Sequence, residues 1–114
     1  LDAAEKGAHM GSWMWDPDTR IMAWSSNLYR ILQRDTQTDV PDLSDYLKHF
    51  APESMEQLRR AVEQAGERES SNELMLSAVR SDSTTFPCIA SVEAEVDENA
   101  KITKIYGSLQ ETQL

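Results

Sequence analysis

Residues 11–24, GSWMWDPDTRIMAW, predict a β-hairpin, and the other predicted elements precede or follow it in the chain. Side chains alternate between the two faces of a strand, so Trp13 and Trp15 share one face of the first strand. Residues 16–19 (DPDT) form a turn, because proline fixes φ and aspartate bonds to the nearby backbone. A second short strand over residues 21–24 completes the hairpin.

Short helices are expected on both sides of this hairpin. Before it, residues 1–9 contain good helix formers and predict an N-terminal helix. After it, Ser25 and Asp42 are suitable N-cap residues for two helices, and Pro52 suits the first position of a third. The spacing of apolar residues predicts that the buried stripe of the middle helix consists of Leu43, Leu47 and Phe50.

In the second half of the chain, the hydrophobic pattern takes on the period of a strand. In residues 88–96, CIASVEAEV, apolar residues at every second position, from Cys88 to Val96, alternate with mostly polar residues. The apolar positions, Val96 included, are expected on the inner face of the sheet. Strands are also expected over residues 73–80 and 102–109. The element order ββαααβββ predicts an α+β fold with a five-stranded antiparallel sheet and short helices on one face.

Length and charge limit the possible functions. The 114 residues are enough for one domain. Twenty acidic residues against eleven basic ones give a net charge of −9, which argues against binding nucleic acid or an anionic membrane. No apolar run approaches the roughly 18 residues that span a bilayer. Cys88 is the only cysteine and cannot form an internal disulfide, so a cytoplasmic location is expected.

Several short motifs in a characteristic order make nearly the whole chain resemble a PAS domain, the sensory-box module of bacterial signalling proteins. The motifs are Gly11-Ser12-Trp13-Met14-Trp15-Asp16, Thr19, Trp24-Ser25, Leu28-Tyr29 with Ile31-Leu32, and Pro52-Glu53-Ser54. The first of them is typical of the subgroup that opens with Gly-x-Trp-x-Trp-Asp. The resemblance implies one domain over residues 1–114, with residues 1–9 as its capping helix.

The resemblance implies a regulatory role in signal transduction, with no catalytic residues in the domain itself. The rest of the protein would be a histidine kinase of a two-component system or a diguanylate cyclase. The chain is therefore expected to be a piece of a longer protein whose output region follows residue 114. Gln110 stands where the family's terminal Asp-Ile-Thr motif has its Asp, which puts the salt bridge that usually couples the sheet to the output helix in question.

Cofactor-binding residues known from the family are missing here. Haem-binding PAS domains usually carry a histidine on the long helix, but residues 52–65 contain none, and His9 and His49 are too few for a histidine-based metal cluster. The light-sensing flavin subgroup needs an Asn-Cys-Arg motif on a helix, whereas Cys88 lies in a predicted strand as a small buried residue. Haem, this flavin chemistry and a metal site are not expected, and the cofactor stays unknown.

Small side chains on the inner face of the last two strands predict a cavity of ligand size opposite the helices. The candidate lining residues for a small-molecule ligand are Trp24, Tyr29, Leu32, Leu58, Val62, Ala90, Val92 and Ile105. Such a ligand would favour one of two arrangements of the domain. In the alternative, the aromatic and leucine side chains fill this space.

The outer face of the sheet is expected to expose Ile89, Ile102 and Tyr106. In PAS domains, the N-terminal helix or a second subunit often covers this face. Residues 1–9 and the outer sheet face together therefore predict a homodimer interface. The alternative is a set of scattered apolar side chains, which are common on protein surfaces.

Two other functions stay open at this point. One is a dimerisation or docking module that binds no small molecule. The other is a small cone-shaped α+β enzyme of the isomerase type, which would need Asp45, Tyr46 or His49 to face the cavity with a shifted pKa. The position of Asp45 near a helix N-terminus is already explained by capping.

Overall fold

The computed structural model describes residues 2–36, 41–67 and 72–112. Its elements are α1 (Asp2–Gly7), β1 (Met10–Trp15), β2 (Met22–Trp24), α2 (Ser26–Leu32), α3 (Leu43–Leu47), α4 (Pro52–Gln64), β3 (Asn72–Val79), β4 (Thr85–Val96) and β5 (Ile102–Glu111). The five strands form one antiparallel sheet in the order β2-β1-β5-β4-β3. Buried side chains of α2, α3 and α4 meet the inner face of this sheet in one core. The predicted α+β fold is confirmed.

Two of the three predicted helix starts after the hairpin are also confirmed by capping hydrogen bonds. The Ser25 hydroxyl accepts a hydrogen bond from the backbone N–H of Leu28 and another from that of Ser12, so the cap of α2 also attaches this helix to β1. Asp42 and Asp45 form a reciprocal capping box at the start of α3. Pro52 occupies the first turn of α4, where a missing N–H has no cost.

Two glycines let neighbouring elements approach at backbone distance. A Cβ on Gly11 would lie 2.6 Å from the Cα of Leu28, so α2 packs directly on the backbone of β1. Gly107 in β5 pairs with Trp13 in β1, and a Cβ there would lie 2.8 Å from the Trp13 ring and closer still to the Ser91 carbonyl oxygen. The indole of Trp13 therefore lies against bare backbone at the centre of the sheet.

Two predictions near the β4–β5 turn are wrong, and a register shift explains one of them. Glu95 pairs with Lys104 and Val96 pairs with Ile102, so Thr103 is an extra residue in β5. Beyond this bulge the side chains of β5 change faces relative to simple alternation, which turns Ile102 towards the core, whereas Val96 is exposed because it lies at the end of β4. Val96, predicted to be inward, is 49% exposed, whereas Ile102, predicted to be outward, packs against the core.

Helix α1 lies against one end of the sheet. The carboxylate of Glu5 accepts a hydrogen bond from the Ser12 hydroxyl in β1. After α1, the carbonyl oxygen of His9 accepts a hydrogen bond from the backbone N–H of Glu111, and the Gln110 side chain donates to the Ala8 carbonyl. The turn that follows α1 is thus bonded to the end of β5.

The contact between Trp13 and Gly107 predicts that Gly107→Ala lowers the free energy of unfolding by about 1–3 kcal/mol, because the added methyl group collides with a buried ring and a carbonyl oxygen. Urea unfolding followed by tryptophan fluorescence measures this change. Gly7→Ala is the control, since a Cβ at Gly7 meets nothing within 4 Å. Equal stability of the two variants would contradict the proposed contact.

Candidate functional site

Five aromatic side chains from four parts of the chain form a cluster between the sheet and the helices. This aromatic cluster consists of Trp13, Trp24, Tyr29, Tyr46 and Phe50. The ring centroid of Tyr46 lies 5.2 Å from those of both Trp13 and Phe50, and 6.0 Å from that of Trp24. The completely buried Tyr46 of α3 is therefore the centre of the cluster.

Three buried polar atoms of the aromatic cluster have no hydrogen-bond partner among the residues that the structure describes. They are the indole Nε1 atoms of Trp13 and Trp24 and the hydroxyl oxygen of Tyr46. Buried polar atoms in proteins are nearly always paired, either with protein groups or with bound molecules. The cluster can thus offer up to three hydrogen-bond donors to a small molecule that carries acceptor atoms.

Burial also keeps the polar groups near the cluster uncharged. It strongly raises the pKa of Tyr46, the neighbouring Cys88 thiol raises it further, and the Trp13 indole N–H, which is close to the hydroxyl but does not meet the geometry of a hydrogen bond, lowers it by less. Burial likewise raises the pKa of Cys88 to about 12, with a smaller opposing effect of the Leu76 backbone. At neutral pH, Tyr46 is therefore a hydrogen-bond donor rather than a base, and Cys88 is not a reactive thiolate.

The structure brings the eight predicted lining residues together in the single core. Trp24 and Tyr29 belong to the aromatic cluster itself. The remaining six are buried side chains of the core around it: Leu32, Leu58, Val62, Ala90, Val92 and Ile105. Their adjacency is a property of the fold, and their contact with a ligand stays a prediction.

Trp13 and Tyr46 were not among the predicted lining residues. Trp13 was predicted only as part of the hairpin, and Tyr46 was a candidate only for the enzyme alternative. In α3, Leu43 and Leu47 are partly buried, whereas Tyr46 between them is completely buried. The signal that could have found Tyr46 is its helical spacing in the sequence, three residues after Leu43 and four before Phe50, although α3 itself ends at Leu47 before Phe50.

Hydrogen bonds hold the His49 ring beside the cluster. Its Nδ1 lies 2.7 Å from the carbonyl oxygen of Val79, and its Nε2 lies 3.2 Å from Nη1 of Arg34. A neutral ring satisfies both contacts, donating from Nδ1 and accepting at Nε2. Burial lowers the pKa of His49 and Arg34 lowers it further, while the Val79 carbonyl and the Asp45 charge raise it by less overall.

A separate groove of about 500 Å³ lies on the outer face of the sheet. Among its lining residues are Ser12, Met14, Ala23, Glu95, Lys104 and Tyr106. Met14 is 47% exposed there. Ile89 and Tyr106, predicted to lie on this outer face, are half-buried. This face therefore presents an apolar surface with charged residues of both signs at its margin.

Within residues 2–36, 41–67 and 72–112, no helix is both long and apolar enough to cross a membrane. Nor does this part of the chain bring three or more His, Cys, Asp or Glu side chains together as a metal-binding group.

No protein-family model matches the chain, and no curated protein matches it. Solved structures do. A sensory box histidine kinase/response regulator from Burkholderia thailandensis superimposes with a TM-score of 0.75 at 16% identity, over 97% of this chain and 82% of that one. The N-terminal domain of a diguanylate cyclase with PAS/PAC sensor from Marinobacter aquaeolei gives 0.74 at 15% identity, over 90% and 94%. The fold is the PAS fold.

The same fold carries other kinds of sensor. The LOV domain of the blue-light photoreceptor Aureochrome1 superimposes with a TM-score of 0.70 at 17% identity, over 99% of this chain and 88% of that one. At such identities the similarity shows the architecture alone. Membership of the subgroup with the Gly-x-Trp-x-Trp-Asp opening stays a prediction.

The lowered pKa of His49 predicts a pH dependence of stability. Below its ordinary value of 6.5, the unfolded chain binds a proton that the folded protein does not, so stability falls as the pH drops through and below about 6.5. Thermal unfolding between pH 7.5 and 5.5 measures this decrease, which His49→Gln should reduce. His9→Gln is the control, because His9 is exposed. An unchanged slope in His49→Gln would show that other groups cause the dependence.

Proposed function

We propose that this domain is a sensory module of a signal-transduction protein, a histidine kinase or a diguanylate cyclase, and that it detects a small molecule at the aromatic cluster. The PAS fold and its similarity to domains of such proteins support the regulatory class. The observation that carries the proposal is the group of three unpaired donors on Trp13, Trp24 and Tyr46 in one buried cluster.

The cluster favours a small, uncharged ligand with hydrogen-bond acceptors. Apart from His49 and Arg34 beside Trp24, its surroundings are apolar, and burying an unpaired charge there would be costly. The rings contact one another at centroid distances of 5.1–6.0 Å, so a ligand of more than a few heavy atoms would have to displace a side chain.

The residues of this chain do not fit the flavin chemistry of a light sensor. A three-ring flavin does not fit between aromatic rings that already contact one another. Cys88 lies on β4 rather than on a helix, and its raised pKa disfavours the thiolate.

A route from the cluster to the end of the sheet follows from the strand order. Trp13 lies on β1, which pairs directly with β5, and β5 ends at Glu111. There the Glu111 carboxylate forms an ion pair with Arg80 at 2.7 Å, and the Arg80 guanidinium lies 4.0 Å from the centre of the Phe86 ring. Although Gln110 replaces the family's Asp, an ion pair exists one residue later and could couple the sheet to an output region beyond residue 114.

A ligand-free dimerisation module is the second candidate function. The exposed Met14 and the groove on the outer sheet face support it, because a second subunit could cover this surface together with α1. In that case the signal would pass through the homodimer and the flanking helices without a small molecule.

The enzyme alternative has less support from the geometry of its three residues. Asp45 is engaged in the capping box with Asp42, and both ring nitrogens of His49 have partners. The pKa of Tyr46 is raised, so its hydroxyl does not supply a base at neutral pH. We propose that the domain binds and regulates rather than catalyses.

Native mass spectrometry and an absorption spectrum of the purified 12.9 kDa chain test the ligand proposal. We expect extra mass that Tyr46→Phe removes and Tyr29→Phe retains, because, of these two tyrosine hydroxyls, the one on Tyr46 is the buried, unpaired donor. In the ligand-free protein, Tyr46→Phe should raise the free energy of unfolding by about 1 kcal/mol, since it deletes an unsatisfied hydroxyl. Unmodified mass together with lower stability of Tyr46→Phe would refute the proposal.

Sedimentation equilibrium tests the dimer proposal. Met14→Asp places a charge in the outer groove and should weaken a dimer formed there by at least about tenfold, because a charge at the centre of an interface must be desolvated. Val96→Asp is the matched control, since Val96 is equally exposed, at 49% against 47%, but lies outside the groove. Equal effects of the two variants would place the interface elsewhere.

A further inference from the structure

A cleft with a local excess of positive charge lies at the end of the sheet, among α1, α2 and the ends of β3 and β5. This basic cleft has a volume of about 340 Å³, and its lining includes Lys6, His9, Arg30, Gln33, Arg80 and Glu111. Three permanent cations thus face one carboxylate on a chain whose net charge is −9. The local charge is opposite in sign to that of the molecule as a whole.

The two arginines of the basic cleft have further hydrogen-bonding capacity. Arg30 donates from Nη1 to the Asn27 side chain at 3.1 Å, and Arg80 donates from Nη2 to Glu111 at 2.7 Å. A guanidinium group carries five N–H donors in a planar fork, which matches the two oxygens of a carboxylate or phosphate. Each of these bonds uses one of the five donors.

The neighbouring carboxylate of Asp82 does not neutralise the positive charge of the basic cleft. Asp82 is held by its own loop through Thr84 and also accepts a hydrogen bond from Gln33 at the cleft. Its pKa is lowered mainly by the Thr84 hydrogen bonds, with only a smaller contribution from Arg80. Glu111 is therefore the carboxylate that competes directly for Arg80.

We infer that the basic cleft is a binding site for a small anion carrying carboxylate or phosphate groups, bound by Lys6, Arg30 and Arg80 in competition with Glu111. The cleft shares no residue with the aromatic cluster. The inference therefore stands independently of the ligand proposed for that cluster.

Because of the position of the basic cleft, a bound anion would lie next to both α1 and the end of β5. His9 in the turn after α1 accepts a backbone hydrogen bond from Glu111, and Lys6 lies on α1 itself. An anion that draws Arg80 away from Glu111 would loosen the end of β5 and at the same time attract α1 through Lys6. Anion binding would thus change how these two segments are held together.

NMR titration of the ¹⁵N-labelled protein tests the inference with two probes, inorganic phosphate and succinate, each against sodium chloride at equal ionic strength. We expect saturable shifts at the backbone amides of Lys6, Arg30 and Arg80 that chloride does not reproduce. Saturation by phosphate alone assigns the site to phosphorylated molecules, and saturation by succinate alone assigns it to dicarboxylates.

Two variants predict opposite changes in affinity. Arg30→Gln should weaken binding about fivefold through loss of a partly exposed charge contact. Glu111→Gln should tighten binding to a similar extent, because it removes the competing carboxylate. Arg60→Gln on α4 and Glu98→Gln in the β4–β5 turn make the same charge changes away from the cleft and should have little effect.

Shifts that never saturate, or that equal those in sodium chloride, would overturn the inference. Equal weakening of anion binding by Arg30→Gln and Arg60→Gln would also overturn it, because binding would then depend only on the overall charge of the protein. The dispersion of each variant's amide spectrum shows whether it has folded. If Glu111→Gln does not fold, the comparison of Arg30→Gln with Arg60→Gln still decides.

Discussion

The contact of the Trp13 indole with the bare backbone of Gly107 is the constraint on which the rest of this structure depends. The contact lies where β1 pairs with the central strand β5, and it places the Trp13 indole directly on the backbone of the sheet. Tyr46 can then pack on Trp13 from α3, and Phe50 on Tyr46. A side chain at position 107 would displace the Trp13 ring and, through it, Tyr46 and Phe50, because close-packed interiors transmit displacement.

Local signals account for the part of the fold that could be predicted from the sequence. A cap such as Ser25 or Asp42 acts within three residues of itself, and Pro52 acts through its own φ angle. The bulge at Thr103 could not be predicted in this way, because it depends on how β4 and β5 pair. Alternation along one strand cannot show where its register shifts, so Ile102 was predicted on the wrong face.

The same distinction between local patterns and long-range contacts applies to the candidate sites. Periodicity identified the apolar residues of the core, but whether the Trp24 indole N–H has a partner depends on contacts between distant elements. The basic cleft was missed for a related reason. Lys6, Arg30 and Arg80 lie far apart in the sequence, and a net charge of −9 concealed their convergence in the fold.

The strand order has a consequence for how the protein folds. Met10 pairs with Gln110, one hundred residues further along, so the centre of the sheet joins the first strand to the last. Contacts of such long sequence separation form slowly, because a large loop must close before they contribute. During synthesis, the β1–β2 hairpin emerges with the apolar face of Trp13 and Trp24 uncovered, and it has no central partner until residues 102–111 follow. The aromatic strand thus lacks its central partner while residues 25–101 are being synthesised, and an unpaired strand edge with exposed apolar side chains is prone to aggregate during that interval.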